Sequence, residues 1–80
     1  MQVFIRLYAS LQRFAPAGTQ LGESFTIDLT QGTIREVLAL LQISETEASI
    51  VLVNGLRQQD LSLKVHKDDL IVIFPPLGGG

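Results

Sequence analysis

The chain has 80 residues, 46% of them hydrophobic and 18% charged, with a formal net charge of −2, which fits one small domain burying a little over ~60% of its unfolded surface and excludes a disordered segment. Its six basic residues, Arg6, Arg13, Arg35, Arg57, Lys64 and Lys67, are scattered, so there is no basic stripe for nucleic acid. No apolar run approaches the roughly 20 residues that span a bilayer and no signal-peptide pattern is present, so a cytoplasmic protein is expected.

Gln2 to Tyr8 alternates Val3, Ile5 and Leu7 against Phe4, Arg6 and Tyr8, which predicts a strand. Ala9 to Phe14 reads as a short helical turn stopped by Pro16-Ala17-Gly18. A loop runs through Leu21 and Gly22. Glu23 to Leu29 then sets Phe25, Ile27 and Leu29 against Ser24, Thr26 and Asp28, a half-buried strand. Thr33-Ile34-Arg35-Glu36 has the spacing of a capping box, in which threonine accepts from an amide and glutamate reaches back. Ile34, Val37, Leu38 and Leu41 follow at helical spacing, predicting a three-turn amphipathic helix.

After a polar stretch from Ser44 to Ser49, Ile50 to Val53 is a continuous apolar run, and Asn54-Gly55 is the dipeptide of a type I′ hairpin turn. Leu56 to Gln58 should fold back on it. Asp60 to Asp69 is a mixed connection with Leu61, Leu63 and Val65 tucked under the domain. Lys67-Asp68 then turns into a last strand, Asp69 to Phe74. The order β, β, α, β, β, β, with one helix, predicts an α+β fold with the helix on one face of the sheet.

One helix covers one face. If Val3, Ile5, Leu7, Ile71 and Ile73 point to it, then Phe4, Tyr8 and Phe74 point away. Those aromatics are either ordinary surface hydrophobes or the anchors of a partner-binding patch. Cysteine is absent, which removes disulfides, thiolate nucleophiles and thiolate metal ligands. The single histidine, His66, is isolated between Val65 and Lys67, so it reads as a solvated loop residue, and no metal site is expected.

The final stretch is IVIFPPLGGG. Pro75 and Pro76 lack the donors a ladder needs and favour extended backbone, so the sheet should stop at Phe74. Residues 1–76 are then the domain and 77–80 a flexible glycine-rich tail. Extended, Leu77, Gly78, Gly79 and Gly80 would reach roughly 13 Å at about 3.3 Å per residue. Glycine gives that tail the smallest cross-section and the greatest freedom; a frayed terminus is the simplest alternative.

FPPLGGG, together with LYASLQRF at the first strand and VNG followed by KDDLIVIFPP, resembles the ubiquitin-like β-grasp sulfur carriers, most closely the small subunit of molybdopterin synthase. The resemblance implies a β-grasp fold with a mixed sheet. It also implies that the chain binds no cofactor and is no catalyst by itself, but is the sulfur-carrying subunit of a synthase-type complex. A ubiquitin-activating-type partner would use ATP to adenylate the Gly80 carboxylate, and a sulfur donor would convert it to a thiocarboxylate. A larger synthase subunit would receive the sulfur for the pterin dithiolene that holds molybdenum or tungsten. Gly79, Gly78 and Leu77 would position the reacting end, and Tyr8, Leu56 and Phe74 would form the docking surface. Carriers for thiamin, cysteine or tRNA thiolation share this pattern, as do ubiquitin-like protein modifiers, and a plain binding module is a further reading. At the position just after the first strand where relatives often place an arginine, the chain offers Gln12 or Arg13.

Overall fold

Alternation over Gln2–Leu7 builds the first strand, β1, with Val3, Ile5 and Leu7 all but fully buried. In the computed structural model, which describes residues 1–76, β1 is followed by a 3-10 segment at Ala9–Phe14, β2 at Phe25–Asp28, helix α1 at Ile34–Leu41, β3 at Ile50–Val53, β4 at Leu56–Gln58 and β5 at Leu70–Phe74. The strands form a single sheet in the order β2-β1-β5-β3-β4. Only the central pair, β1 and β5, is parallel; the other pairs are antiparallel. The α+β architecture expected from the element order is therefore present, as a mixed sheet.

Burial explains the parallel pair at the centre. Ile5 lies in register with Ile71 and Leu7 with Ile73, and these four β-branched or long aliphatic residues are at most 1% exposed. The pair lies inside the sheet, with β2 and β3 as its neighbours on either side. The hairpin from β3 to β4 turns at Asn54 and Gly55, whose φ values of 51° and 86° are the paired positive angles of a type I′ turn. Asn54 is fixed further by its own side chain, which donates to Asp69 Oδ1 at 2.9 Å and accepts from the Leu70 amide at 2.9 Å.

Helix α1 lays Ile34, Val37 and Leu38 into the core. It has 8 residues, a little over two turns at about 3.6 residues per turn, and so is shorter than the three turns its periodicity suggests. Gln42 ends it by adopting φ 61° and ψ 34°, the left-handed conformation more often supplied by glycine. The Ile43 amide then donates back to the Leu38 carbonyl at 3.0 Å, and Ile43 enters the core at 4% exposure. A hydrophobic residue just past the turn has ended the helix early.

The start of α1 is held from two directions. Thr33 Oγ1 accepts from the Glu36 amide at 3.2 Å, as the capping-box spacing requires. Glu36 reaches back beyond Thr33: its carboxylate accepts from the Thr30, Gln31 and Gly32 amides and from the Thr30 hydroxyl, each at 2.8 Å. The 60–66 connection supplies the rest, with the Leu61 and Leu63 carbonyls accepting from the Arg35 and Ile34 amides at 2.9 and 3.3 Å. First-turn donors that no helix can satisfy internally thus find partners in the segment whose Val65 is buried beneath them.

These donors, led by the Thr30 amide, outweigh desolvation and lower the Glu36 carboxyl from 4.5 to about 2. A carboxyl depressed in the folded state adds stability above its unfolded value, and that stability is lost as pH falls through the folded one. Thermal unfolding followed from pH 6 to pH 2 is therefore expected to show a fall between about 4.5 and about 2. In Glu36→Gln the midpoint should be lower at pH 6 and that part of the acid fall absent; an unchanged acid profile would contradict the assignment.

Candidate functional site

The site is the outgoing end of β5 and the sheet face that α1 leaves open. Parallel register puts Leu7 beside Ile73 on the helix side, so the next residues along, Tyr8 and Phe74, stand together on the opposite face. Their rings stack with centroids 4.9 Å apart and planes at 8°, within the range of favourable offset stacking. The Tyr8 amide donates to the Ile73 carbonyl at 3.3 Å, extending the ladder to the last turn of β5. Ile50 of β3 lies across from Phe74 on its other side.

What holds Tyr8 there is the chain reversal behind it. Ala9 takes φ 52°, a left-handed conformation that costs an L-residue with a Cβ roughly 1–2 kcal/mol. The reversal sends the 3-10 segment back so that the Leu11 amide donates to the Tyr8 carbonyl at 3.1 Å and Leu11 is buried to 1% exposure. Burying a leucine side chain returns about 1.5–3 kcal/mol, enough to offset the strained alanine. The helical turn expected at Ala9–Phe14 is this 3-10 segment.

Further along the same face, register sets one residue from each of four strands in a row: Arg6, Val72, Leu52 and Arg57. Arg57 is exposed, Arg6 and Leu52 are half-buried and Val72 is buried. Phe4 and Leu70 form a neighbouring half-buried pair. The open face thus carries apolar residues from Phe4 to Phe74, with Arg6 among them and Arg57 on the edge strand. Arg6 Nε is itself buried and has no hydrogen-bond partner among the described residues.

Leu56 is placed elsewhere. It pairs with Val53, a core-side residue, so alternation puts it on the helix side of the sheet, on edge strand β4, 68% exposed. Its level in the ladder is that of Ile71, about 10 Å back from Phe74 at 3.3 Å per residue. The structure brings Tyr8 and Phe74 together and does not bring Leu56 to them. Leu77, Gly78, Gly79 and Gly80 lie outside the described residues. Gln12 donates to the Gln20 carbonyl, while Arg13 pairs with Glu47 at 2.6 Å and lies over the Phe14 ring.

The arginine row is the part that strand-by-strand reading missed, although a lone arginine alternating with Phe4 and Tyr8 in an otherwise apolar strand was its signal. Among the described residues no group of three or more His, Cys, Asp or Glu side chains is placed to hold a metal ion. The His66 side chain is 86% exposed. Glu47 and Asp60 are held below the ordinary carboxylate range by the donors of their own turns, Ser44 and Ser62 respectively. These carboxylates brace loops. No described helix is long and apolar enough to cross a membrane.

Comparison with solved structures agrees with this geometry. A chain of the complex of subunits 1 and 2 of molybdopterin-converting factor from Helicobacter pylori superposes with a TM-score of 0.64 at 22% identity, covering 100% of both chains. The small archaeal modifier protein 1 of Haloferax volcanii gives 0.68 at 20% identity over 95% of this chain and 98% of its own. The HVO 2177 protein of Haloferax volcanii gives 0.72 at 21% identity over 100% and 87%. No family model and no curated protein matches the chain. The shared architecture is the ubiquitin-like β-grasp fold.

Proposed function

We propose that this chain is a sulfur carrier whose Gly80 carboxylate is adenylated and then converted to a thiocarboxylate, with molybdopterin biosynthesis as the destination of the sulfur. The observation that carries this reading is the run from the stacked Phe74, at the outgoing end of a central β-grasp strand, through Pro75 and Pro76 into Leu77-Gly78-Gly79-Gly80. A carboxylate is a poor electrophile until one oxygen becomes a leaving group. Attack by Gly80 on the α-phosphate of ATP, in a ubiquitin-activating-type partner, releases pyrophosphate and forms an acyl-adenylate. A sulfide equivalent then displaces AMP. The thioacid is an anionic sulfur nucleophile at neutral pH; once its sulfur has passed to the acceptor, water restores the carboxylate.

The domain behind the tail supplies grip rather than chemistry. Tyr8 and Phe74, half-buried and stacked, are the aromatic anchors of the docking face for the activating enzyme and for the larger synthase subunit, with Leu56 a separate contact on the other side of the sheet. The likeness to the Helicobacter pylori complex of two converting-factor subunits supports the second partner. The likeness to a small archaeal modifier favours one alternative, a protein modifier joined to lysine through the same activated end.

Intact-protein mass after incubation with an activating enzyme, ATP and a sulfur source tests the reading: a carrier exchanges one oxygen for one sulfur, whereas a modifier appears as adducts on other proteins. Absence of both outcomes would reject it. Tyr8→Ala should keep the fold and weaken docking to the synthase subunit by about tenfold or more, the loss usual for a central aromatic anchor, as read by titration calorimetry.

A further inference from the structure

The chain's one asparagine, Asn54, is followed by Gly55, and its side chain takes the part of a backbone group. β3 and β5 are paired through Val53 and Ile71, and one step further the Asn54 amide donates to the Leu70 carbonyl at 2.8 Å. The return bond, from the Leu70 amide, goes to Asn54 Oδ1 at 2.9 Å, while Asn54 Nδ2 donates to Asp69 Oδ1 at 2.9 Å. The carboxamide therefore stands in for a main-chain unit and fastens the hairpin turn to the start of β5. Asp69 is committed on its other oxygen too, which accepts from the His66 amide at 2.8 Å, and its side chain is only 16% exposed. Gly55 lies in the open: a Cβ there would meet nothing within 4 Å.

We propose that Asn54 is a site of spontaneous deamidation, and that Asp69 converts this change into release of the hairpin turn from β5. The proposal stands apart from the carrier reading. A glycine after the asparagine leaves the attacking backbone nitrogen unhindered. With its proton lost to solvent, the Gly55 nitrogen bonds to Asn54 Cγ; the Cγ–Nδ2 bond breaks and ammonia leaves, giving a succinimide. Water opens the ring at either carbonyl, to aspartate or to isoaspartate, and nothing is oxidised or reduced. While Leu70 and Asp69 hold the carboxamide it is turned towards β5, so the reaction waits for openings of the turn. Such openings belong to the weakly held parts of a fold, and the turn leads into β4, an edge strand of 3 residues. The product cannot close again in the same way. Where an amide donated, a second carboxylate now faces Asp69 Oδ1, and two carboxylates sharing one site repel. His66 does not relieve this, since its Nδ1 stands 3.8 Å from Asp69 Oδ2 with the side chain 86% exposed, where pairing is weak. In isoaspartate the main chain also gains a methylene, and the turn loses its fit.

Peptide mapping of the full chain after warm incubation at mildly alkaline pH tests the site, with a synthetic peptide spanning 51–58 as the unrestrained reference. Aspartate and isoaspartate should accumulate at position 54, several-fold more slowly than in the peptide. A folded chain still unconverted after several half-lives of the peptide would overturn the proposal, as would conversion at the peptide's own rate, which would mean that nothing holds the carboxamide. Asn54→Asp reproduces the new charge and should lower the thermal midpoint by roughly 4 °C or more. Combining Asn54→Asp with Asp69→Asn exchanges the two groups and should bring the midpoint back near the parent's. The amide at position 69 then donates to the carboxylate, and its oxygen still accepts from His66; recovery of this kind is a coupling that independent sites do not show. An Asn54→Asp midpoint equal to the parent's, or a double variant no better than that single one, would also refute the role given to Asp69.

Discussion

A Gly79→Phe chain is expected to unfold at the same temperature as its parent and to accept no sulfur, and a chain lacking Gly80 should behave in the same way. Every buried core residue among the described residues lies at or before Ile73, so neither change replaces one of them, and changes away from a core usually alter stability by no more than about 0.5 kcal/mol. Activation as proposed, in contrast, requires the terminal backbone to enter a partner's active site. There a side chain collides where glycine passes, and a misplaced reacting atom can cost about a hundredfold for each ångström. Intact mass after activation reads loading, and thermal unfolding reads the fold. A Gly79→Phe protein that gained sulfur at the parental rate would remove the tail from the mechanism.

Ile71→Ala should do the reverse, damaging the fold and acting on function only through it. Ile71 is 0% exposed and is paired with Ile5 on one side and Val53 on the other, with no mobile edge to collapse into the space. Truncating a buried isoleucine to alanine costs about 2–5 kcal/mol, a large part of the 5–15 kcal/mol that holds typical domains together. At about 4–8 °C per kcal/mol for a domain of this size, the midpoint should fall by about 8 °C or more in circular dichroism. Leu21→Ser, at a leucine 87% exposed, is the control and should change little. A small effect at Ile71 would mean that the centre of the sheet is not the parallel pair described.

The contrast between these variants marks what could be read from the chain alone. Period-two alternation identified β1 and β2, Asn54-Gly55 the hairpin and the Lys67-Asp68 turn the start of β5, because those signals arise from local sterics and turn geometry. The observed β2, Phe25–Asp28, is shorter at both ends than the predicted 23–29. The pairing of β1 with β5 has no local signature, as it depends on which distant strand shares a register. For the same reason Leu56 reads as a companion of Tyr8 and Phe74 until its partner, Val53, is known; a one-residue difference in register decides the face. Thr33 and Glu36 announce the start of α1, while its early end at Gln42 follows from Ile43 reaching the core. Arg6 was visible as a charge in an apolar strand, but that its Nε has no partner among the described residues emerges only when five strands are assembled.

Joining the first strand to the last has a consequence for synthesis. While a ribosome is still making β5, the place beside Ile5 is empty, and β1 and β3 have nothing between them. A nascent chain of this kind cannot close its sheet one element at a time; it must wait and then condense at once, as proteins dominated by distant contacts do. The ring of Phe74 arrives with the same strand that completes the platform beneath it. On the proposed reading, partners of this surface would have nothing to hold on an unfinished polypeptide, and the order of manufacture itself would keep half-made chains out of the reaction.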